Sequence, residues 1–364
     1  MAPLARRPRL VRVRASGRFV QPFVRRSPVS NFLTRVKPIT IIGGGLAGLT
    51  LGIGLRQRGI PVTIWEAGHY PRHRVCGEFV SGRGLEVLAQ LGLLDSLIRA
   101  GAMPAHTAAF FSAKANSPSR PLPMPALCLS RFTMDALLAE HFRRSGGALR
   151  ENQRWRDNGL GGGLVQANGR RLKPQEHGWR WLGLKVHARN VPLASDLEMH
   201  LLLNGYVGLC RLKEGETAPP WQKILRGFPG TPLWDRLAGA LFDETSFCSV
   251  AGLSIRPQRA ATRTDCCIGD ALTMIPPVTG NGMSMAFESA ALAVEPLRAY
   301  AHGQLTWGQA QQAIARDFDR AFASRLKWAR WLHRLMFDPA VQKLFASALL
   351  RSDWFWRLMF AKTR

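Results

Sequence analysis

The sequence predicts an α/β chain: a parallel βαβ unit interrupted by an antiparallel sheet and followed by helices. Three observations lead there. Residues 38–66 read as strand, glycine-rich turn, helix and strand. Residues 177–215 carry strand patterns around Asn204-Gly205, a two-residue hairpin signal. From Thr306 onward the apolar positions follow helical spacing.

The first unit opens on the apolar run Pro38-Ile39-Thr40-Ile41-Ile42, a buried strand. Gly43, Gly45 and Gly48 follow with G-x-G-x-x-G spacing, and Leu46 and Ala47 begin the helix. Pro61 to Trp65 forms the second strand and ends on Glu66, eighteen residues after Gly48. Each part has a reason. Gly43 permits the tight turn, Gly45 lets a pyrophosphate approach the backbone, and Gly48 lets helix and strand pack. The free N–H groups and dipole of the helix start favour phosphate. An acid at that spacing accepts ribose hydroxyls. The unit therefore reads as a dinucleotide site, against the alternatives of a buried glycine turn or a membrane span.

After Glu66 a loop carries Arg72, His73, Arg74, Cys76, Gly77 and Glu78. Ser81 is expected to cap a helix with Leu85, Leu88 and Leu91 on one face. Residues 108–112 read as a strand and 117–125 as a Pro/Ser-rich connection. Ser130 caps a helix that buries Met134, Leu137, Leu138 and Phe142 and ends at Gly146-Gly147. Residues 148–155 read as the next strand. Residues 181–188, 197–203 and 206–210 read as antiparallel strands. His187 and His200 on them are read as packing or surface residues.

A second constellation begins at Cys266 and Cys267, a short strand that leads into Gly269-Asp270-Ala271. The turn Pro276-Pro277-Val278-Thr279-Gly280-Asn281-Gly282 follows, and a helix runs from Met283 to Leu297. A carboxylate at a strand end can hold ribityl hydroxyls. A glycine turn and helix start can meet a flavin ring and favour negative charge on it. FAD is the expected cofactor, with Gly269, Asp270, Pro277, Gly280, Asn281, Gly282 and Met283 on its flavin side. The plainer alternative is an Asp cap and a structural proline turn.

These motifs resemble the FAD-dependent oxidoreductases of the p-hydroxybenzoate hydroxylase type, and within them the geranylgeranyl reductase-like branch. The matching residues span most of 38–300: the 43–48 fingerprint with Glu66, the loop Arg74 to Glu78, Ser130-Arg131 with Asp135, and 269–282. The resemblance implies an FAD-binding Rossmann-like domain with an inserted antiparallel substrate sheet and a helical C-terminus. It implies that Glu66 meets the adenosine ribose, Arg74 and Arg131 lie along FAD, and Asp270 meets the ribityl chain. It also implies that NAD(P)H visits as a transient reductant, without a domain of its own. The Cys76 loop would reach the flavin ring, with Cys76 and Glu78 as catalytic candidates for giving a proton to a reduced alkene. The family has Cys-Gly-Gly where Cys76-Gly77-Glu78 stands. The closest run to the hydroxylases' Asp-Gly motif is Asn168-Gly169, behind a weak strand. The reductase signature after the hairpin and the halogenase Gly-x-x-Trp-x-x-Ile-Pro pattern are absent.

The expected domains are a basic extension at 1–37, an FAD-binding domain of 38–105, 128–172 and 250–300, a substrate domain of 106–127 and 173–249, and helices at 301–364. Residues 1–37 hold ten Arg and Lys and no acid, the composition of a targeting segment, a disordered tail or a stretch ahead of a later translation start. The net charge of +26 raises nucleic acid or an anionic membrane as partner, but its scatter along the chain argues against nucleic-acid binding as the main function. The six cysteines lack metal-ligand spacing, so no metal and no disulfide framework is expected. Trp328, Trp331, Trp354 and Trp356 interleave with arginine near the C-terminus, a pattern for core packing or peripheral membrane contact. The expected function is oxidoreduction of a small apolar substrate, in the cytoplasm or at a membrane, by double-bond reduction or by O₂ activation. The alternatives are an NAD-dependent dehydrogenase and a basic nucleic-acid binder on a degenerate flavin fold.

Overall fold

A computed structural model describes residues 36–112, 116–156, 162–170, 180–202, 205–212, 226–337 and 350–363. Residues 35–364 form one compact unit.

Its strands are β1 (Ile39–Ile42), β2 (Val62–Trp65), β3 (Phe79–Val80), β4 (Met103–Phe111), β5 (Arg120–Cys128), β6 (Ala148–Arg150), β7 (Leu164–Gln166), β8 (Trp181–Arg189), β9 (Leu197–Leu202), β10 (Gly205–Cys210), β11 (Leu241–Leu253) and β12 (Cys266–Cys267). Its helices are α1 (Leu46–Arg56), α2 (Arg83–Gln90), α3 (Leu94–Arg99), α4 (Arg131–Arg144), α5 (Pro232–Leu237), α6 (Gly282–Ala301), α7 (Trp307–Phe337) and α8 (Asp353–Thr363).

A parallel sheet in the order β12-β7-β1-β2-β6 forms the nucleotide half. Its strands are short and apolar because helices cover them, as parallel sheets require. Ile39, Ile41 and Ile64 are fully buried, and α1, α4 and α6 share one core with them. The second sheet runs β10-β9-β4-β5-β3, and β8 pairs antiparallel with β11 beside it. So an α/β nucleotide fold carries an added layer, as expected, but that layer is mixed: β4 pairs with β9 in parallel, and β8 pairs with β11 apart from the β9–β10 hairpin.

Four local expectations need correction. Ser81 does not cap α2: it is buried and its backbone N–H and C=O bond the Ser284 hydroxyl, while Gly82 takes the cap at φ 60°. The stretch 117–125 is largely strand, not a connection: β5 starts at Arg120 despite Pro121, Pro123 and Pro125. Prolines two apart all lack their N–H on the same edge, and β3 pairs with β5 only at Leu127 and Cys128, so that edge needs no donors there. The strand read at 148–155 stops at Arg150. In the hairpin, Gly205 already pairs with Leu202, so it belongs to the strand; Asn204 lies outside the described residues.

Ser130 does cap α4, its hydroxyl accepting from the Thr133 N–H at 3.2 Å. The helix α6 begins one residue before the expected Met283 and runs on to Ala301. A buried bidentate pair, Arg325 to Glu288 at 2.7 and 3.0 Å, ties α7 to it. Breaking one partner of such a pair leaves an uncompensated charge, so it fixes how the helices meet.

Candidate active site

The glycine turn is built by contact as well as by backbone angle. Gly43 has φ 104°, and a Cβ there would lie 2.4 Å from the Ala167 carbonyl oxygen. A Cβ on Gly48 would lie 1.9 Å from the Gly43 oxygen. At Gly45 a Cβ meets nothing within 4 Å, so the protein itself does not demand glycine there. Gly45 caps α1 with no side-chain hydrogen bond and no acid in the first turn, leaving the helix N–H groups open to an anion.

Glu66 is 5% exposed and closes this end. It accepts from the Gly44 and Gly68 N–H groups at 2.8 and 2.9 Å and from Arg72 at 2.5 Å. Burial pushes its pKa up, but the two N–H groups with Arg72 and Arg74 outweigh that and hold it below the usual range. It is thus an ionised acceptor. Arg74 reaches both Glu66 and Asp135, and Arg131 grips Asp135 at 2.7 and 2.8 Å.

A cavity of about 2230 Å³ begins at Gly45, Leu46 and Ala47 and ends against β8, β9 and β10. That exceeds the roughly 300–1,000 Å³ of a single small-ligand pocket. Of the predicted residues, Arg74, Cys76, Glu78, Arg131, Asp270, Pro277, Gly280, Gly282 and Met283 also line it. Gly43, Gly48, Glu66, Gly269 and Asn281 do not line it. Gly269 packs at φ 58° against Ala47, and Asn281 is buried with its amide donating to the Thr363 carbonyl. Asp270 makes no hydrogen bond among the described residues, and burial raises its pKa against the pull of Arg170 and Arg131. A carboxylate in that state is waiting for hydroxyl donors.

The far end holds a polar cluster that motif reading missed. Glu78 is 2% exposed. It accepts from the Arg131 N–H at 2.8 Å, pairs with His187 Nε2 at 2.7 Å, and lies 3.3 Å from Lys185 Nζ. Lys185 also sits 2.9 Å from His73 Nδ1. Burial, then His187 and Lys185, act in opposite senses on Glu78, and the net is a lowered pKa. That direction favours a carboxylate that accepts from these donors. Burial first, then Lys185 and His187, drop His73 to about 4, leaving it neutral as an acceptor. His73, Glu78 and His187 have the grouping of a metal site, but the Lys185 ammonium already supplies the cation there.

Two features build this cluster. Lys185 and His187 are two apart on β8, so both point to one face. The β8–β11 register slips between Asp243 and Cys248, and the displaced Ser246 hydroxyl accepts from the His187 N–H at 2.7 Å. Glu78 itself has φ 57°, backbone that glycine favours. The strain is tolerated because its carboxylate has three partners. His200, by contrast, is buried, stacked on Phe111 and bonded to Glu198. The i, i+2 spacing of Lys185 and His187 was the only available signal for the cluster.

Residues 36–182 match the family described as FAD binding domain. FAD is the cofactor of this chain, and the open Gly45 cradle and unpaired Asp270 fit the two ends of that ligand. Kynurenine 3-monooxygenase of Dictyostelium discoideum is 37% identical over 67 residues, 17% of this chain and 15% of that protein. Rifampicin monooxygenase of Streptomyces venezuelae is 31% identical over 121 residues, 32% of this chain and 25% of that protein. The matches thus span a quarter or less of those relatives. The flavin-dependent brominase Bmp2 superposes with TM-score 0.68 at 17% identity, covering 90% of this chain and 94% of that one. PqsL of Pseudomonas aeruginosa, in complex with 2-aminobenzoylacetate, gives TM-score 0.62 at 15% identity, covering 85% and 99%. These neighbours share the fold of this chain. Among the described residues no helix is long and apolar enough to cross a membrane.

Proposed function

We propose that this chain is an FAD-dependent oxidoreductase that hydroxylates a small apolar substrate. The observation that supports it most is one continuous cavity. It joins the open glycine cradle to an apolar chamber with a charged cluster on its wall. Gly45, Leu46 and Ala47 would hold the pyrophosphate, Glu66 the adenosine ribose, and Asp270 the ribityl chain. Glu66 would exchange Arg72 for ribose hydroxyls. Gly280, Gly282 and Met283 would meet the ring. Bound FAD supplies electron transfer from a nicotinamide donor and activation of O₂. The chain supplies shape and protons. Phe110, Val207, Leu209, Phe337 and Met359 line an apolar chamber for such a substrate. Ionised Glu78 keeps Lys185 and His187 in place, and Lys185 is the proton-bearing group it presents to the substrate.

A second reading, double-bond reduction of the geranylgeranyl reductase-like kind, is favoured by Cys76. Its thiol lines the cavity beside Glu78 and accepts from the Glu78 N–H at 3.5 Å. Among the other cavity thiols, a hydrogen bond to Cys128 and then burial raise Cys210, and burial raises Cys248 to about 11. The test is the purified yellow protein with NADPH and a panel of phenols, anilines and polyenes under isotopically labelled O₂. Labelled oxygen in a product supports hydroxylation. A saturated product formed without O₂ supports reduction, and a protein that retains no FAD sinks both.

A further inference from the structure

The C-terminal helices have two faces that differ in kind. The inner face belongs to the cavity wall: Leu332, His333 and Phe337 of α7, and Met359 and Phe360 of α8. The outer face is basic and aromatic. On α7 it exposes Lys327, Arg330, Trp331 and Arg334, and from residue 320 to the helix end there is no acid. On α8 it exposes Trp354, Arg357 and Lys362. The two helices join there: Lys362 Nζ lies 5.9 Å from the Trp328 ring, and Trp328 packs edge-on against Trp331 at 5.3 Å. Trp331 and Trp354 are 47% and 71% exposed, the latter nearly bare. The one acid of α8, Asp353, is already paired with Arg120 at 2.7 Å.

We propose that this outer face docks on an anionic lipid membrane. The argument is charge complementarity. Five cations without a free acid repel a second copy of the same face and attract an anionic surface. Half-exposed tryptophans suit the headgroup region, where one side of the ring is apolar and the other wet. Helices about 10–12 Å thick then separate the lipid from the cavity. An apolar substrate dissolved in the bilayer would have one layer of helices between it and the chamber.

The experiment is flotation of the full-chain, FAD-loaded protein with phosphatidylglycerol-containing vesicles and with pure phosphatidylcholine vesicles. Binding is expected to the anionic vesicles and to weaken with salt. The combined variant Lys327→Gln, Arg330→Gln, Arg334→Gln should lose roughly tenfold or more in vesicle affinity while keeping its flavin spectrum. Trp331→Ser with Trp354→Ser should remove the salt-resistant part. The basic segment 1–37 is the competing source. Binding that survives both helix variants and vanishes when that segment's arginines become glutamine overturns the proposal. So does RNA retention through the same helix side chains without vesicle binding. Wild-type association in solution, lost in the tryptophan variant and with no vesicle binding, overturns it too.

Discussion

The two ends of the cavity are built by different means. The nucleotide end is contiguous: residues 39–66 supply strand, turn, helix and acid, and close contacts between glycine backbones set its shape. The far end is assembled from distant parts, with Glu78 and His187 separated by 109 positions and joined by one hydrogen bond. The first is held by sterics, the second by charge. Steric sites fail when an atom is added, whereas charged sites fail when a partner is removed.

The largest expected effect lies at Gly48. Its added Cβ would meet a backbone oxygen at 1.9 Å, so Gly48→Ala should cost about 3 kcal/mol or more and release FAD. Urea unfolding with flavin absorbance measures both. Next comes Glu78→Gln, which leaves Lys185 buried beside an uncharged amide. The expected loss is about 3 kcal/mol, and adding Lys185→Met should recover at least about 1 kcal/mol of it. Additive effects in that cycle would mean that the two side chains do not pair. Gly45→Ala separates packing from ligand binding, because the new Cβ meets no protein atom. Stability without FAD should stay within about 0.5 kcal/mol, while FAD affinity falls roughly tenfold, a cost of about 1.4 kcal/mol. Unchanged affinity by calorimetry would remove the pyrophosphate from that position.

The smallest effect is in pH. Burial depresses His73 and His333 from 6.5 to about 4, so between those values the unfolded chain binds more protons than the folded one. Stability should therefore fall as pH drops from 6.5 towards 4. The lowered carboxylates Glu66 and Glu78 add their loss only below about 4.5. His73→Gln should flatten part of the upper window in denaturation midpoints taken against pH. An unchanged slope would exclude His73 as its source.

Much of the fold was legible because its signals are local. The fingerprint, Glu66 and the Ser130 cap each depend on residues within a turn or a βαβ unit. The strand β5 was not legible: its three prolines carry a turn signal, and only the shortness of β3 leaves their edge unpaired. Ser81 has the residue type of a cap, yet burial against Ser284 uses it differently. In the site, Asn281 stands in a flavin-like turn but its amide is consumed by the C-terminal helix. Nothing within either segment announces that contact.

His187 marks the same limit from the other side. On an isolated strand it is an ordinary half-buried histidine; opposite Glu78 it is part of a charged cluster. The sequence by itself determined the nucleotide half and its cofactor, because backbone angles and close approaches there are imposed by neighbouring residues. Only the tertiary structure decided the chemistry of the opposite wall. There the β8–β11 slip and the loop ending at Glu78 bring groups over a hundred residues apart within hydrogen-bonding distance, and short-range electrostatics acts only on what the fold has already brought together.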